Sequence, residues 1–399
     1  MSVQPLLLSS FTATTCLGPG VDRTLEALRR HGSGLAPCRF ETVELDTYIG
    51  EVAGVDNVTM RADLTVFDCR NNRLAHLALL QDGFDECVRA ATARVGPGRI
   101  GVFVGTSTSG ILQTELAYRH RDPASGALPA DFNYAATHSP FSVADFVRRT
   151  LALSGPVATI SSACSSSAKV FASAHRMIAA GLIDAAVVGG VDSLCLTTLY
   201  GFNSLELTSA SPCRPFDPAR DGISIGEGAA FALLERVPDH LDADAILLLG
   251  VGESSDAYHM SSPRPDGLGA RMAMEAALIA GGVTPAEVGY INLHGTATPS
   301  NDAAEGTAIA TIFGQHTACS STKGATGHAL GAAGGIETVI AALALRHGFI
   351  PAGVNTVDVD PAIAIDYVLE NRALPISRAL SNSFGFGGTN CSVLLGRAH

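Results

Sequence analysis

Short β-branched or apolar runs that end in Gly/Ser/Thr loops recur along this chain, separated by stretches with apolar residues three and four apart. Residues 5–15 read as a strand running into a polar turn, and 21–31 as a helix closed by Gly32. Leu74, Leu77, Leu80, Phe84 and Val88 predict one helix over 72–91. Residues 100–105 form a buried-strand pattern ending in Thr106-Ser-Thr-Ser-Gly110, and 116–139, rich in Arg, His, Pro and Asn, leave the core. After a helix over 142–153, the run Val157 to Ile160 enters a small-residue turn at Cys164. An alanine-rich helix then runs to Gly181, a natural C′ residue. Residues 185–191 are another buried strand, and 196–228 are polar and rich in Gly and Pro.

The second half repeats this order. Strands are expected at 244–251, 288–293, 318–322, 380–383 and 391–395, with helices over 270–280 and from about 330 to Leu345. Their polar loops hold His294-Gly-Thr-Ala-Thr-Pro299, Lys323-Gly-Ala-Thr-Gly-His328 and Phe384-Gly-Phe-Gly-Gly-Thr389. A duplicated α/β unit follows, in halves 1–240 and 241–399, with layered sheets covered by helices and ligands at strand ends where the halves meet.

Composition narrows the function. With 26 basic against 38 acidic residues, the net charge of −12 argues against nucleic acid as a partner. Nine scattered cysteines without a C-x-x-C pair indicate neither a disulfide framework nor a metal site. No basic signal region and no membrane-length apolar run occur, so a cytoplasmic protein is expected.

Cys164, between a strand end and a helix start, is placed near unpaired N–H groups and the positive helix end, which favours thiolate. Two histidines in Gly/Thr loops, His294 and His328, could donate hydrogen bonds to a thioester enolate, or one could act as a base. Lys323 is one of only two lysines, the other being Lys169. The 384–389 loop could bring an N–H to an oxyanion while a ring gates the pocket. A phosphate-cradling loop is the rival, but no G-x-x-x-x-G-K-[ST] or G-x-G-x-x-G opens a helix after an early strand. Residues 213–228 suit tight turns with buried charge pairs, as scaffolding beside the site.

In this order, Ala163-Cys164-Ser-Ser-Ser, His294 to Pro299, Lys323 to His328 with Gly331-Ala-Ala-Gly334, and Ser383 to Asn390 resemble the elongating β-ketoacyl-acyl-carrier-protein synthases. The likeness spans nearly the whole chain. It implies the thiolase-like duplicated fold, layered α/β/α/β/α, and decarboxylative condensation of an acyl-Cys164 with malonyl-carrier protein, in fatty acid or polyene/polyketide elongation. Cys164 would carry the acyl group, and His294 and His328 would assist decarboxylation. N–H groups of Cys164 and Phe386 would form the oxyanion hole, with the Phe386 and Phe384 rings at the gate. Lys323 and Glu337 would orient the His328 region, and Thr296 and Thr298 would bind the pantetheine arm. Initiating relatives carry Asn where His328 stands. Thiolases place a second catalytic cysteine in their last Gly-rich loop, whereas Cys391 lies past that loop and reads as packed.

Thr108 departs from the pattern, standing where an apolar or glycine residue often lines the acyl tunnel. The resemblance further implies no cofactor beyond carrier-bound phosphopantetheine, and a homodimer, with a heterodimer with a related chain open. The 116–145 excursion and Val187–Val191, taken as an edge strand, are the expected interface, and Arg119 to Arg121 a docking site for the acidic carrier protein. The alternatives are a non-catalytic chain-length-determining partner, which would have lost the cysteine, and a cysteine hydrolase, whose water the aromatic loop would exclude.

Overall fold

The computed structural model describes residues 3–398. In chain order its main sheet comprises β1 (Leu6–Thr15), β2 (Ile100–Gly105), β3 (Val157–Ile160), β4 (Ala185–Asp192) and β5 (Gly228–Arg236). The second half adds β6 (Ile246–Ser255), β7 (Tyr290–Asn292), β8 (Ala318–Ser320), β9 (Asp366–Tyr367), β10 (Arg378–Gly385) and β11 (Thr389–Arg397). The strands run β9-β8-β7-β10-β11-β6-β1-β5-β4-β2-β3, and Gly18–Pro19 adds a short pair on β1.

The halves join at the antiparallel pair β1–β6, where Leu6, Leu7 and Leu8 face Leu248, Leu247 and Ile246. Outward from that seam the pairings match through two antiparallel ladders and then two parallel ones on each side, and the second half adds a third parallel pair, β8–β9, at its outer end. Even the irregularities correspond, with register shifts between Leu8 and Ser10 in β1 and between Leu248 and Gly250 in β6. The duplication expected from the repeated order is therefore present in the hydrogen bonding.

Helices α1 (Ser166–Ala179) and α2 (Ala333–His347) each pack on strands of both halves and form the middle layer. Such a helix must be apolar all round, and α2 is buried at every position from Ala333 to Leu345. Helices Arg70–Leu79 and Phe141–Thr150 cover one outer face and Leu268–Gly281 the other, giving α/β/α/β/α layers. β2 and β4 are buried along their whole length, which their near-continuous apolar runs require. At the end of β2, a Cβ on Gly105 would stand 2.3 Å from the Ser167 nitrogen, so glycine lets α1 begin against the sheet.

Three expectations are corrected. The helix over 72–91 is two, Arg70–Leu79 and Phe84–Val95, because Asp82 and Gly83 take positive φ and Asp82 accepts a 3.0 Å hydrogen bond from the Val21 N–H. The stretch 196–228 contains the helix Leu196–Ser204. The Val187–Val191 segment is no edge, since β4 pairs with both β2 and β5; the edge strand of this half is β3, half-buried throughout.

Candidate active site

Cys164 lies between β3 and α1, in a turn strained by positive φ at Ala163 (51°). Local hydroxyls hold that turn: the Ser162 N–H donates to Ser166 Oγ at 2.9 Å, and Ser166 Oγ donates to the Ala163 carbonyl. The sulfur sits 3.1 Å from His328 Nε2, and the N–H groups of Phe386 and of Cys164 itself bear on it. Burial pushes this thiol up to about 11, while Lys323 and those N–H groups pull the other way and Asp192 adds to the rise. The thiolate expected from the helix start is favoured by those N–H groups and opposed by burial. Desolvation is the largest influence on the sulfur and opposes the thiolate, while His328 Nε2 stands within reach of its proton.

His294 follows β7. Its N–H and that of Gly295 each donate at 2.8 Å to the two oxygens of Glu305, and Asn382 Nδ2 donates to the same carboxylate at 3.1 Å. Burial raises Glu305 to about 7 despite these donors. Asp302, one helical turn away, takes the Thr296 N–H at 3.0 Å, and Thr296 and Thr298 share a 2.8 Å hydroxyl bond. The Lys323 ammonium donates to the His294 carbonyl, pairs with Glu337 and reaches His294 Nδ1 at 3.4 Å. It therefore orients His294 rather than the His328 ring. His328 is fixed through its backbone, its N–H donating to the Ser224 carbonyl at 2.8 Å and its carbonyl accepting from Gly226 at 3.0 Å.

The imidazoles stand edge to face with centroids 5.3 Å apart. Burial, followed by the Lys323 charge, drives both well below the ordinary histidine value, and His328 depresses His294 further, so both are neutral near pH 7. A lysine donates only, so His294 Nδ1 accepts and its proton is on Nε2. Donor atoms of Cys164, His294 and His328 lie within 4.8 Å of one another. This is a possible metal donor set, but the Lys323 ammonium against His294 opposes a second cation.

Cys164, His294 and His328 line one cleft together with Thr296 and Thr298. The Phe384 ring lies 5.9 Å from His294, and the Phe386 ring packs 5.6 Å from Phe202, all three rings lining the same cleft. Thr108 is elsewhere: its hydroxyl donates to buried Asp192 at 2.8 Å, and it is not on the cavity wall. The buried Asp192 carboxylate thus engages the Thr108 hydroxyl. Cys391 is buried on β11, away from the wall, and burial pushes its thiol up. The 213–228 stretch is scaffolding of the expected kind: Glu227 pairs with Arg70, and Arg220 with Asp360 at 2.7 Å.

Sequence reading missed Asp302, Glu305 and Phe202. Asp302 and Glu305 are spaced three apart just after His294 to Pro299, so one helix face presents both to that loop.

A buried cysteine flanked by two imidazoles, set where two copies of one α/β unit meet, marks a thiolase-like protein. The N-terminal domain model of β-ketoacyl synthases matches residues 9–240, and the C-terminal domain model matches 246–357. The chain belongs to the β-ketoacyl synthase family.

It is 39% identical to 3-oxoacyl-[acyl-carrier-protein] synthase 2 of Coxiella burnetii, over 61% of this chain and 63% of that one. It is 34% identical to the Staphylococcus aureus protein of the same name, over 74% and 76%. Among solved structures it resembles a chain of the ketosynthase (ApeO) in complex with its chain length factor (ApeC) from Xenorhabdus doucetiae. That match has a TM-score of 0.89 and 39% identity, covering 99% of this chain and 98% of the other. Among the described residues no helix is long and apolar enough to cross a membrane.

Proposed function

We propose that this chain condenses an acyl group on Cys164 with malonyl-acyl-carrier protein, releasing CO2 and 3-oxoacyl-carrier protein in fatty acid or polyene/polyketide elongation. The halves 1–240, with Cys164, and 241–399, with His294 and His328, act as one catalytic unit. The observation that carries this reading is the Cys164–His328 contact of 3.1 Å with His294 edge-on beside it.

In the first step His328 takes the thiol proton as sulfur attacks the carrier thioester, and the departing pantetheine thiol receives it. Malonyl-carrier protein then enters beside Thr296 and Thr298. His294 Nε2–H, with His328 beside it, stabilises the thioester oxygen as the carbon–carboxylate electron pair becomes an enolate. The enolate carbon attacks the acyl-Cys164 carbonyl, whose oxygen faces the Cys164 and Phe386 N–H groups, and the thiolate leaves. Substrates arrive on phosphopantetheine and no separate cofactor is required. Nine free cysteines suit a reducing cytoplasm.

The partners are an acyl-carrier protein and a second subunit, either another copy or a related chain. The free edge of β3 suits strand-to-strand pairing, and likeness to a ketosynthase with a chain length factor supports a related partner. A non-catalytic partner role is disfavoured by the assembled Cys164, His294 and His328.

Mass spectrometry of the protein with acyl-carrier proteins of graded length tests the reading. An adduct on wild type but not on Cys164→Ala, discharged as ketoacyl product by malonyl-carrier protein, is expected. No adduct with any donor, alone or with a partner chain, would overturn it.

A further inference from the structure

Asp192, at the end of β4, is fully buried and has no role in the chemistry above. Its Oδ1 accepts from Thr106 Oγ1 at 2.7 Å and from the Ser107 N–H, the Thr108 N–H and Thr108 Oγ1 at 2.8 Å each. Its Oδ2 accepts from the Gly331 N–H at 2.5 Å. Each side of this hub leads to a reacting group. Ser107 Oγ donates to the carbonyl of Ala163 at 3.3 Å, and Ala163 is the strained residue before Cys164. Gly331 stands three residues after His328. The first side belongs to the N-terminal half and the second to the C-terminal half.

We propose that Asp192 is a positioning residue: one buried carboxylate that locks the Cys164 turn to the His328 segment and so sets their 3.1 Å contact. This rests on the condensation reading only for its catalytic consequence. A buried carboxylate holding five donors resists displacement far more than a neutral acceptor does. Glycine at 331 permits the closure, since a Cβ there would come within 2.6 Å of Ser107 Oγ and 2.8 Å of Asp192 Oδ2. The charge has a second effect, because Asp192 raises the Cys164 thiol while Lys323 lowers it; His328 and His294, the other titratable groups facing the sulfur, are neutral.

Asp192→Asn keeps one acceptor oxygen but turns an NH2 towards a donor and removes the charge. Alkylation of Cys164 by iodoacetamide at pH 8 should then speed up several-fold. Condensation kcat should fall roughly 10- to 100-fold, the scale of a small misplacement of reacting groups. The KM for carrier protein should stay unchanged, because Asp192 touches no substrate. Gly331→Ala wedges the same contact and keeps the charge, so alkylation should hold its wild-type rate while kcat falls. It decides the matter should the asparagine variant not fold.

A lowered melting temperature with kcat and alkylation both unchanged would reduce Asp192 to a fold-stabilising role and overturn the proposal. Alkylation needs no carrier protein. A wild type that takes no acyl group would therefore fail the condensation reading, while the asparagine variant's alkylation rate still tests Asp192.

Discussion

Lys323 holds its ammonium 3.4 Å from His294 Nδ1 while paired with Glu337, and both charged groups are 2% exposed or less. The contact fixes the tautomer that puts a proton on His294 Nε2, and the charge lowers both imidazoles and the thiol. Lys323→Ala strands the Glu337 carboxylate, which should cost about 3–5 kcal/mol of stability. Lys323→Met with Glu337→Leu should recover most of that stability, since an apolar pair needs no solvation. Decarboxylation of malonyl-carrier protein should stay lost in both. Urea unfolding and CO2 release separate the two effects; activity returning with stability would make the pair merely structural.

The two histidines should fail differently. His328 touches the sulfur, whereas His294 is tied to Lys323. His294→Ala should still accept an acyl group on Cys164 but condense about 10²–10⁴-fold more slowly, so acyl-enzyme accumulates. His328→Ala should slow acylation itself. Intact-mass time courses before and after adding malonyl-carrier protein read both steps.

How legible this was depended on whether a feature is local. Strand runs and the loops bearing Cys164, His294 and His328 are local, and each appears where its pattern puts it. Features settled by tertiary neighbours were not legible. Glu305 in a sequence looks like any solvated helix acid, and only burial beside two N–H groups makes it the His294 clamp. Val187–Val191 reads equally well as a centre or an edge strand, because an apolar run carries no neighbour order. The bond from the Thr108 hydroxyl to Asp192 was equally hidden, because nothing local reveals a carboxylate 84 residues away.

Acid stability should reflect opposing titrations. His294 and His328 are depressed when folded, so below the unfolded value near 6.5 only the unfolded chain takes up their protons, and stability falls with pH. Glu305 and Glu337 are raised, so between about 7 and 4.5 the folded chain holds the extra protons, and stability rises as pH falls. His76 and His347 are depressed as well, and Glu51, Asp192 and Asp302 raised, so losses and gains oppose each other in acid. Glu305→Gln removes one gain, and its unfolding free energy should fall about 1.4 kcal/mol per pH unit more steeply than wild type. Urea titrations at pH 6.5, 6 and 5 check the slope; parallel profiles would place the Glu305 titration elsewhere.

The Phe386 loop is braced from outside. Its ring packs on Phe202, and the Gly387 N–H donates to the exposed Met260 carbonyl at 2.7 Å. An aromatic pair contributes about 0.5–1.5 kcal/mol beyond its buried area. Phe202→Ala should therefore raise the open-loop population and the hydrolysis of acyl-Cys164 by roughly two- to tenfold. The lifetime of the isolated acyl-enzyme measures this; an unchanged lifetime would remove the ring pair from the gate.

β3 offers the most direct test of assembly. The Pro156 and Ile160 carbonyls accept from Val102 and Thr106, so alternate residues face β2, and Val157 and Thr159 turn their backbone groups outward. Thr159→Pro removes an outward N–H and spares the β2 ladder. If a second subunit pairs along this edge, the variant should elute at the mass of one chain and the wild type at twice that. Cys164 lies five residues on, so unchanged iodoacetamide reactivity would show its turn intact and assign the loss to the edge. A variant that stays dimeric would move the interface away from β3, to the 116–145 excursion, where Tyr118, Tyr134 and Phe141 are each more than 45% exposed.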